Sequence, residues 1–152
     1  MQDAHVLLPD VMGFLPSSRL SYFAVFDGHG GARASRFAAE HLHHNLAKKF
    51  PPTGDAEHLD KLIRKCLLDT FRQTDEDFLK KASSQKPSWK DGSTATCVLV
   101  VDDVLYVANL GDSRVRADED PESGRNRQVR SVACLRLARH EGANSPRRGL
   151  TL

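Results

Sequence analysis

The sequence predicts an α+β fold in which an antiparallel sheet carries two long helices on one face. Three observations predict it. An apolar run ends at a glycine turn, two stretches with the apolar periodicity of a helix follow, and two β-branched apolar runs come last. The predicted order of strand, helix, helix, strand, strand lacks the strict alternation of a parallel α/β fold. The length of 152 residues fits a single domain.

The first predicted strand is the aromatic-rich run SYFAVF, from Ser21 to Phe26. It ends at Asp27-Gly28-His29-Gly30-Gly31, where the glycines favour a turn. A buried strand that runs into a tight loop is the expected local structure.

Two amphipathic helices are predicted after this loop. In the first, Ala34, Ala38, Leu42 and Leu46 recur every four residues until Pro51-Pro52 stops the pattern. The second is expected to begin at Asp55 as the N-cap and to end before Pro87. Its apolar face comprises Leu59, Ile63, Cys66, Leu67, Phe71, Phe78 and Leu79.

A β-hairpin is predicted beyond Lys90. The apolar, β-branched runs Thr94 to Val101 and Val104 to Ala108 are separated only by Asp102-Asp103, a spacing typical of a two-residue hairpin turn. These strands complete the α+β pattern.

The composition changes after residue 112. Residues 113–152 contain nine arginines and no lysine, whereas residues 1–112 contain five arginines and eight lysines. We expect residues 115–152 to be a divergent, mostly disordered tail in which only Val129 to Leu137 could form a short element. Contact with RNA or an acidic partner is the alternative, but the tail has no aromatic residues to stack on bases and acidic residues offset part of its charge.

The bulk composition argues against several classes of partner. A net charge of +2 does not indicate nucleic-acid or membrane binding, and no apolar run is long enough to span a bilayer. Because the N-terminus lacks a signal-peptide pattern, we expect a cytoplasmic or nuclear protein that is not secreted. The spacing of Cys66, Cys97 and Cys134 predicts buried free thiols.

The strongest candidate for chemistry is the loop that follows the first strand. Asp27 supplies a carboxylate and Gly28 a carbonyl, which are oxygen ligands suited to Mg²⁺ or Mn²⁺. From these residues alone an ordinary turn is the commoner explanation. His29 alone is likewise more often a surface residue than a proton donor.

The string YFAVFDGHGG resembles a signature of the metal-dependent type 2C, or PPM-type, serine/threonine protein phosphatases. Met1-Gln2-Asp3-Ala4-His5 resembles the end of an earlier motif of that family, and DGSTATCVLV with LYVANLGDSR resembles its downstream hairpin. The resemblance covers residues 1–114. CLLDTF and SSQKPSWKDGSTA are most similar to the integrin-linked-kinase-associated branch of the family.

The resemblance implies a fold, a reaction and a set of roles. The family folds as an αββα sandwich and hydrolyses phosphoserine and phosphothreonine on phosphorylated proteins, using two Mg²⁺ or Mn²⁺ ions. By position, Asp27 would bridge the ions, Gly28 would bind through its carbonyl, and Asp3 would act through water. His29 would be the general acid. The branch implies a partner in an integrin-linked kinase pathway.

Several departures from the family pattern lead us to expect an impaired or inactive fragment. Gln2 stands where the family usually has Glu, and neither Arg19 nor Arg33 matches its phosphate-binding arginine. Residues 115–152 lack the two further metal-binding aspartates. A non-catalytic interaction fragment is therefore the alternative function.

The missing C-terminal strands also bear on solution behaviour. We expect a monomer that is prone to aggregation, with exposed apolar faces and an unpaired edge at the hairpin of Thr96 to Val101 and Val104 to Ala108.

Overall fold

The computed structural model describes residues 1–11, 19–52, 56–116 and 128–132. In chain order the elements are β1 (Ala4–Leu8), β2 (Leu20–Phe26), β3 (Gly28–His29), α1 (Arg33–Lys49), α2 (Ala56–Ser83), β4 (Gly92–Ser93), β5 (Ala95–Val101), β6 (Val104–Leu110) and β7 (Gln128–Val132).

The main sheet has five strands in the order β1-β2-β5-β6-β7, and β3 and β4 form a separate two-stranded pair. Neighbouring strands are antiparallel except for β6 and β7, which are parallel. A parallel pair requires a long connection, and residues 111–127 separate these two strands. The predicted α+β class is confirmed, with a mixed sheet in place of a purely antiparallel one.

Both helices pack on one face of this sheet, as predicted. The register aligns Tyr22, Leu99 and Tyr106 across three strands, and each is buried beneath the helices. α1 lies against β1 and β2, whereas α2 contacts α1, β6 and β7. Leu42 and Leu46 of α1 supply part of the core. From α2 come Ile63, Cys66, Leu67 and Phe71.

The helix ends follow the proline signals. α1 stops at Lys49, and Phe50 takes an extended conformation before Pro51. Lys48 and Lys49 in its last turn complement the negative end of the helix dipole. α2 ends at Ser83, ahead of Pro87 as predicted. The predicted N-cap Asp55 lies outside the described residues.

The predicted hairpin is present between β5 and β6. Val101 pairs with Val104 across the turn, and Asp102 adopts a positive φ of 52°, a left-handed conformation that aspartate tolerates. The Asp102 carboxylate accepts a hydrogen bond from the Arg19 backbone N–H at 2.9 Å. This contact ties the turn to the start of β2.

The prediction of an unpaired edge at this hairpin is wrong. β5 pairs with β2 and β6, and β6 pairs with β7, so both hairpin strands have neighbours on each side. The covering strand lies in the Arg-rich tail, where Leu105 pairs with Val129. Of the short element allowed at Val129 to Leu137, the structure shows a strand at residues 128–132, and residues 133–137 lie outside the described residues. The edges of the described sheet are β1 and β7.

The sheet face opposite the helices carries exposed apolar side chains. The exposed fractions of Leu7, Val25 and Val129 are 62%, 55% and 49%. An exposed apolar face was predicted, and the described sheet has one on the side away from the helices.

Cys66 and Cys97 are free and buried, as predicted, while Cys134 lies outside the described residues. Among the described helices, none combines the length and apolar character needed to cross a membrane.

Candidate active site

The candidate metal-binding carboxylates lie at the ends of adjacent strands. Ala4 of β1 pairs with Phe26 of β2 at the end of the ladder, and the same register extended by one residue would set Asp3 across from Asp27. Both residues are exposed. Folding thus brings the segments that carry these two carboxylates, 24 positions apart in the sequence, to the same end of the β1–β2 pair.

The backbone of Asp27 is held by the segment that leads into β5. Its carbonyl accepts hydrogen bonds from the Thr94 N–H at 2.8 Å and from Ser93 Oγ at 3.2 Å. Its N–H donates to Thr94 Oγ1 at 3.3 Å, and that hydroxyl lies 2.7 Å from Ser113 Oγ. These bonds fix the backbone and leave the carboxylate on the solvent side.

Gly28 is buried where three segments approach closely. A Cβ at this position would overlap the carbonyl oxygen of Gln2 and crowd Ser35 Oγ. Ser35 itself donates a hydrogen bond to the Gln2 carbonyl. The missing side chain therefore lets the segment of Asp3, the loop and the start of α1 meet.

His29 is exposed and rests against Gly92. The two residues pair in the short β3–β4 ladder, and a Cβ on Gly92 would overlap the His29 ring. The imidazole follows directly after Asp27 and Gly28, so the candidate proton donor and the candidate ligands share one loop.

An ion pair between a half-exposed arginine and a buried aspartate lies behind the loop. Arg33, the first residue of α1, contacts the Asp91 carboxylate through Nε at 3.0 Å and Nη2 at 3.0 Å, and its backbone N–H donates to Asp91 Oδ2 at 3.0 Å. A Cβ on Gly31 would overlap the same carboxylate. Asp91 was not among the residues predicted from the sequence, although it directly precedes the Gly-Ser-Thr segment that resembles a family motif.

Arg19 and Arg33, the two arginines compared above with the family's phosphate-binding arginine, occupy different parts of the fold. Arg19 lies at the start of β2, next to the hairpin turn and at the opposite end of that strand from Asp27. Arg33 lies close to the loop, but its guanidinium is paired with Asp91.

A small apolar cavity of about 40 Å³ lies beneath the site, between the helices and the strand ends. Its lining includes Phe37, Phe71, Thr94 and the carboxylate-bearing Asp75. Burial raises the pKa of Asp75 to about 6, and the negative charge of Glu76 adds to the effect.

The donor set fits a hydrated divalent ion better than a closed protein cage. Mg²⁺ keeps several waters and commonly takes one or two carboxylates, which Asp3 and Asp27 can supply together with the Gly28 carbonyl. Within residues 1–11, 19–52, 56–116 and 128–132, no group of three or more His, Cys, Asp or Glu side chains could hold a metal ion. The oxygen donors that these described residues offer are therefore two carboxylates and one backbone carbonyl.

The chain is similar in sequence to known protein phosphatases. The chain is 66% identical over 119 residues to the integrin-linked kinase-associated serine/threonine phosphatase 2C of Homo sapiens, covering 75% of this chain and 30% of that protein. It is 37% identical over 154 residues to the probable protein phosphatase 2C 8 of Arabidopsis thaliana, covering 100% of this chain and 39% of that protein. The second alignment also crosses the Arg-rich tail.

A solved structure shares the fold. A bacterial serine phosphatase bearing an R161E mutation matches with a TM-score of 0.52 at 20% identity, over 74% of this chain and 48% of that one. The protein phosphatase 2C family model matches residues 1–116. On the strength of this match, and of the loop and strand arrangement that accompanies it, the chain belongs to the protein phosphatase 2C family.

Proposed function

We propose that this site catalyses metal-dependent hydrolysis of phosphoserine and phosphothreonine in proteins. The observation that supports the proposal is the antiparallel β1–β2 register, which ends at Ala4 and Phe26 and, extended by one residue, would set Asp3 across from Asp27, two residues before His29. Membership of the phosphatase family supports the reaction class. The chain spans 30% of the length of its human relative, so the activity of the longer protein is also a proposal for this chain.

Each residue of the loop has a proposed role. Asp27 and Asp3 would hold Mg²⁺ or Mn²⁺ through carboxylate oxygens, with the Gly28 carbonyl as a further ligand. When bound, the metal supplies an activated water and offsets charge on the phosphoryl oxygens. His29, exposed on the same loop, would donate a proton to the departing serine or threonine oxygen.

We further propose that the chain by itself turns over substrate only weakly. Two carboxylates and one carbonyl are few protein ligands for a site that uses two ions. The absence of a larger acidic cluster among the described residues favours, as a second candidate function, a non-catalytic fragment that binds phosphatase partners.

Hydrolysis of a phosphothreonine peptide by the purified 152-residue chain, with and without millimolar Mn²⁺, tests the proposal. We expect slow, Mn²⁺-dependent phosphate release that Asp27→Asn abolishes and Asp3→Asn reduces. The matched control is Asp69→Asn, which removes an exposed carboxylate from α2 and should leave the rate unchanged.

The two candidate functions give different outcomes. Turnover that persists in Asp27→Asn would contradict the assignment of the site. A folded sample with no Mn²⁺-dependent turnover would favour the interaction fragment, and loss of Mn²⁺ binding in Asp27→Asn by calorimetry would still locate the metal ligands.

Substrates and location follow as proposals from the relatives and the composition. Because the human relative is named for its association with integrin-linked kinase, we propose phosphoproteins of that kinase's pathway as substrates. We also propose a cytoplasmic or nuclear location, supported by the buried free thiols Cys66 and Cys97. Imaging a fluorescent fusion of the chain tests the location.

A further inference from the structure

Asp91 is a carboxylate whose environment requires a specific partner. The exposed fraction of its side chain is 0%, and an isolated buried charge is strongly unfavourable. Arg33 meets this requirement with a two-point contact, in which Nε approaches one carboxylate oxygen and Nη2 the other, each at 3.0 Å. The Nε–H bond to Oδ2 is a charge-assisted hydrogen bond, and Nη2 adds an ion contact to Oδ1.

The same carboxylate also binds the start of α1. The N-cap Ala32 makes no side-chain capping bond, and the Arg33 N–H donates instead to Asp91 Oδ2 at 3.0 Å. A negative charge at this end also complements the helix dipole. Asp91 therefore anchors the point at which the glycine loop becomes a helix.

Two glycines connect Asp91 to the loop of the candidate active site through close packing. Gly31, with φ +145°, packs so closely on Asp91 that any side chain there would overlap the carboxylate. Gly92, the residue after Asp91, packs in the same way against the His29 ring. A shift of Asp91 would therefore move both the Gly31 turn and the surface on which the imidazole rests.

An aromatic side chain supports the pair from outside. The guanidinium of Arg33 lies 5.0 Å from the centroid of Trp89, which restricts the half-exposed arginine. Trp89 is also the only tryptophan of the chain, so its fluorescence reports on this cluster.

We propose that Asp91 and Arg33 are positioning residues that fix the Gly30–Gly31 turn and the imidazole of His29. The inference deepens the proposed function and rests on it, because it concerns the proton donor of that reaction. Neither residue needs to touch the substrate for this role. The pair acts through the backbone of the loop and through Gly92.

The test compares Asp91→Asn with Glu76→Gln in the full chain. Both variants neutralise a carboxylate paired with an arginine, but the Arg72–Glu76 pair, at 3.1 Å, joins two exposed side chains of α2. Circular dichroism establishes that each variant is folded. The direct readout is the nuclear Overhauser effect between the His29 ring proton on Cε1 and the Gly92 α-protons, which does not require turnover.

We expect Asp91→Asn to lose this Overhauser effect and to change Trp89 emission, whereas Glu76→Gln retains both signals. Arg33→Gln should weaken the effect, and Arg33→Lys, which keeps the charge, should restore part of it. Where the chain turns over substrate, kcat should fall about tenfold or more with KM nearly unchanged, because a small misplacement of a reacting group affects the chemical step.

The outcomes distinguish this inference from the proposed function. A folded Asp91→Asn variant with the Overhauser effect and kcat of the original chain would overturn the inference. If the original chain shows no turnover, the proposed function fails, while loss of the effect in Asp91→Asn still supports the positioning role. If Asp91→Asn does not fold, Arg33→Gln decides: a reduced Overhauser effect supports the pair and an unchanged one refutes it.

Discussion

At the scale of single residues, Asp75 shows how a polar side chain can oppose folding. It lines the apolar cavity under the candidate site, and burial is the main reason why its pKa rises to about 6. The usual aspartate pKa is about 3.9, so the folded state binds the proton more tightly than the unfolded chain. The resulting stability is complete below about pH 4 and is lost as the pH rises through 6.

Replacing Asp75 should therefore stabilise the protein at neutral pH. We expect Asp75→Asn to raise the free energy of unfolding by about 1 kcal/mol at pH 7.5, a value reduced to allow for partial exposure. The gain should shrink as the pH falls towards 4. Urea denaturation at several pH values measures this, with Asp69→Asn on the exposed side of α2 as the control. A gain that is independent of pH would contradict the titration of Asp75.

Residue-scale features differ in how far the sequence predicted them. The loop at Asp27, Gly28 and His29 was identifiable because turn residues directly follow a strand and match a family signature. Asp91 and Arg33 were not paired in advance, since they are 58 positions apart. A contact of that kind depends on the approach of two segments, which local patterns do not encode.

At the scale of elements, β7 is the main addition to the predicted structure. It attaches to α2 through Asp60, whose carboxylate contacts Arg64 Nε at 3.1 Å and Arg130 Nη1 at 3.3 Å. Arg64 also donates to the Ser131 carbonyl at 3.3 Å. Burial, with the charge of Asp60 as the next cause, raises the pKa of Tyr106 beside this cluster to about 12. Polar contacts thus hold the strand that covers β6.

Removing one of these contacts should loosen the edge of the sheet. We expect Arg130→Ala to lower the free energy of unfolding by about 1 kcal/mol, because Asp60 loses one of its partners while Arg64 remains. Amide exchange in β6 should accelerate as β7 detaches. Hydrogen–deuterium exchange measures this, with Arg72→Ala at the exposed Glu76 pair as control. Equal protection of β6 in both variants would contradict the role of Arg130.

Helices and strands were predicted correctly where they depend on residues close in the sequence, and were missed where they depend on distant ones. α1, α2 and the β5–β6 hairpin depend on nearby residues, namely helical periodicity, proline stops and a two-residue turn. β1 was missed because its five residues carry little periodic signal. The pairing of β7 with β6 was missed because parallel strands are joined through distant chain.

At the scale of the whole molecule, the sheet has one covered and one open face. The helices bury the side that carries Tyr22, Leu99 and Tyr106, while Leu7 and Val25 are more than half exposed on the other. Contiguous exposed apolar surface favours association. We therefore propose this open face as the surface for the self-association expected from the sequence.

Charges on the open face should suppress self-association. We expect the double variant Leu7→Glu/Val25→Lys to bind less of the dye ANS and to stay monomeric at concentrations where the original chain associates. Little stability should be lost, because both side chains are already exposed. Size-exclusion chromatography with light scattering measures the mass, and Ser84→Lys, an exposed turn position, is the control. If both variants self-associate equally, the surface responsible for association lies outside the open face of the sheet.

The sequence by itself determined the family, the fold class and the loop of Asp27, Gly28 and His29, because helical periodicity, strand runs and turn residues act over short distances. Only the tertiary structure decided that β1 and β2 end side by side next to Asp3 and Asp27, that Asp91 pairs with Arg33, and that β7 covers the hairpin. These contacts join residues that are far apart in the chain, and each depends on burial, strand register or charge pairing that exists only after folding.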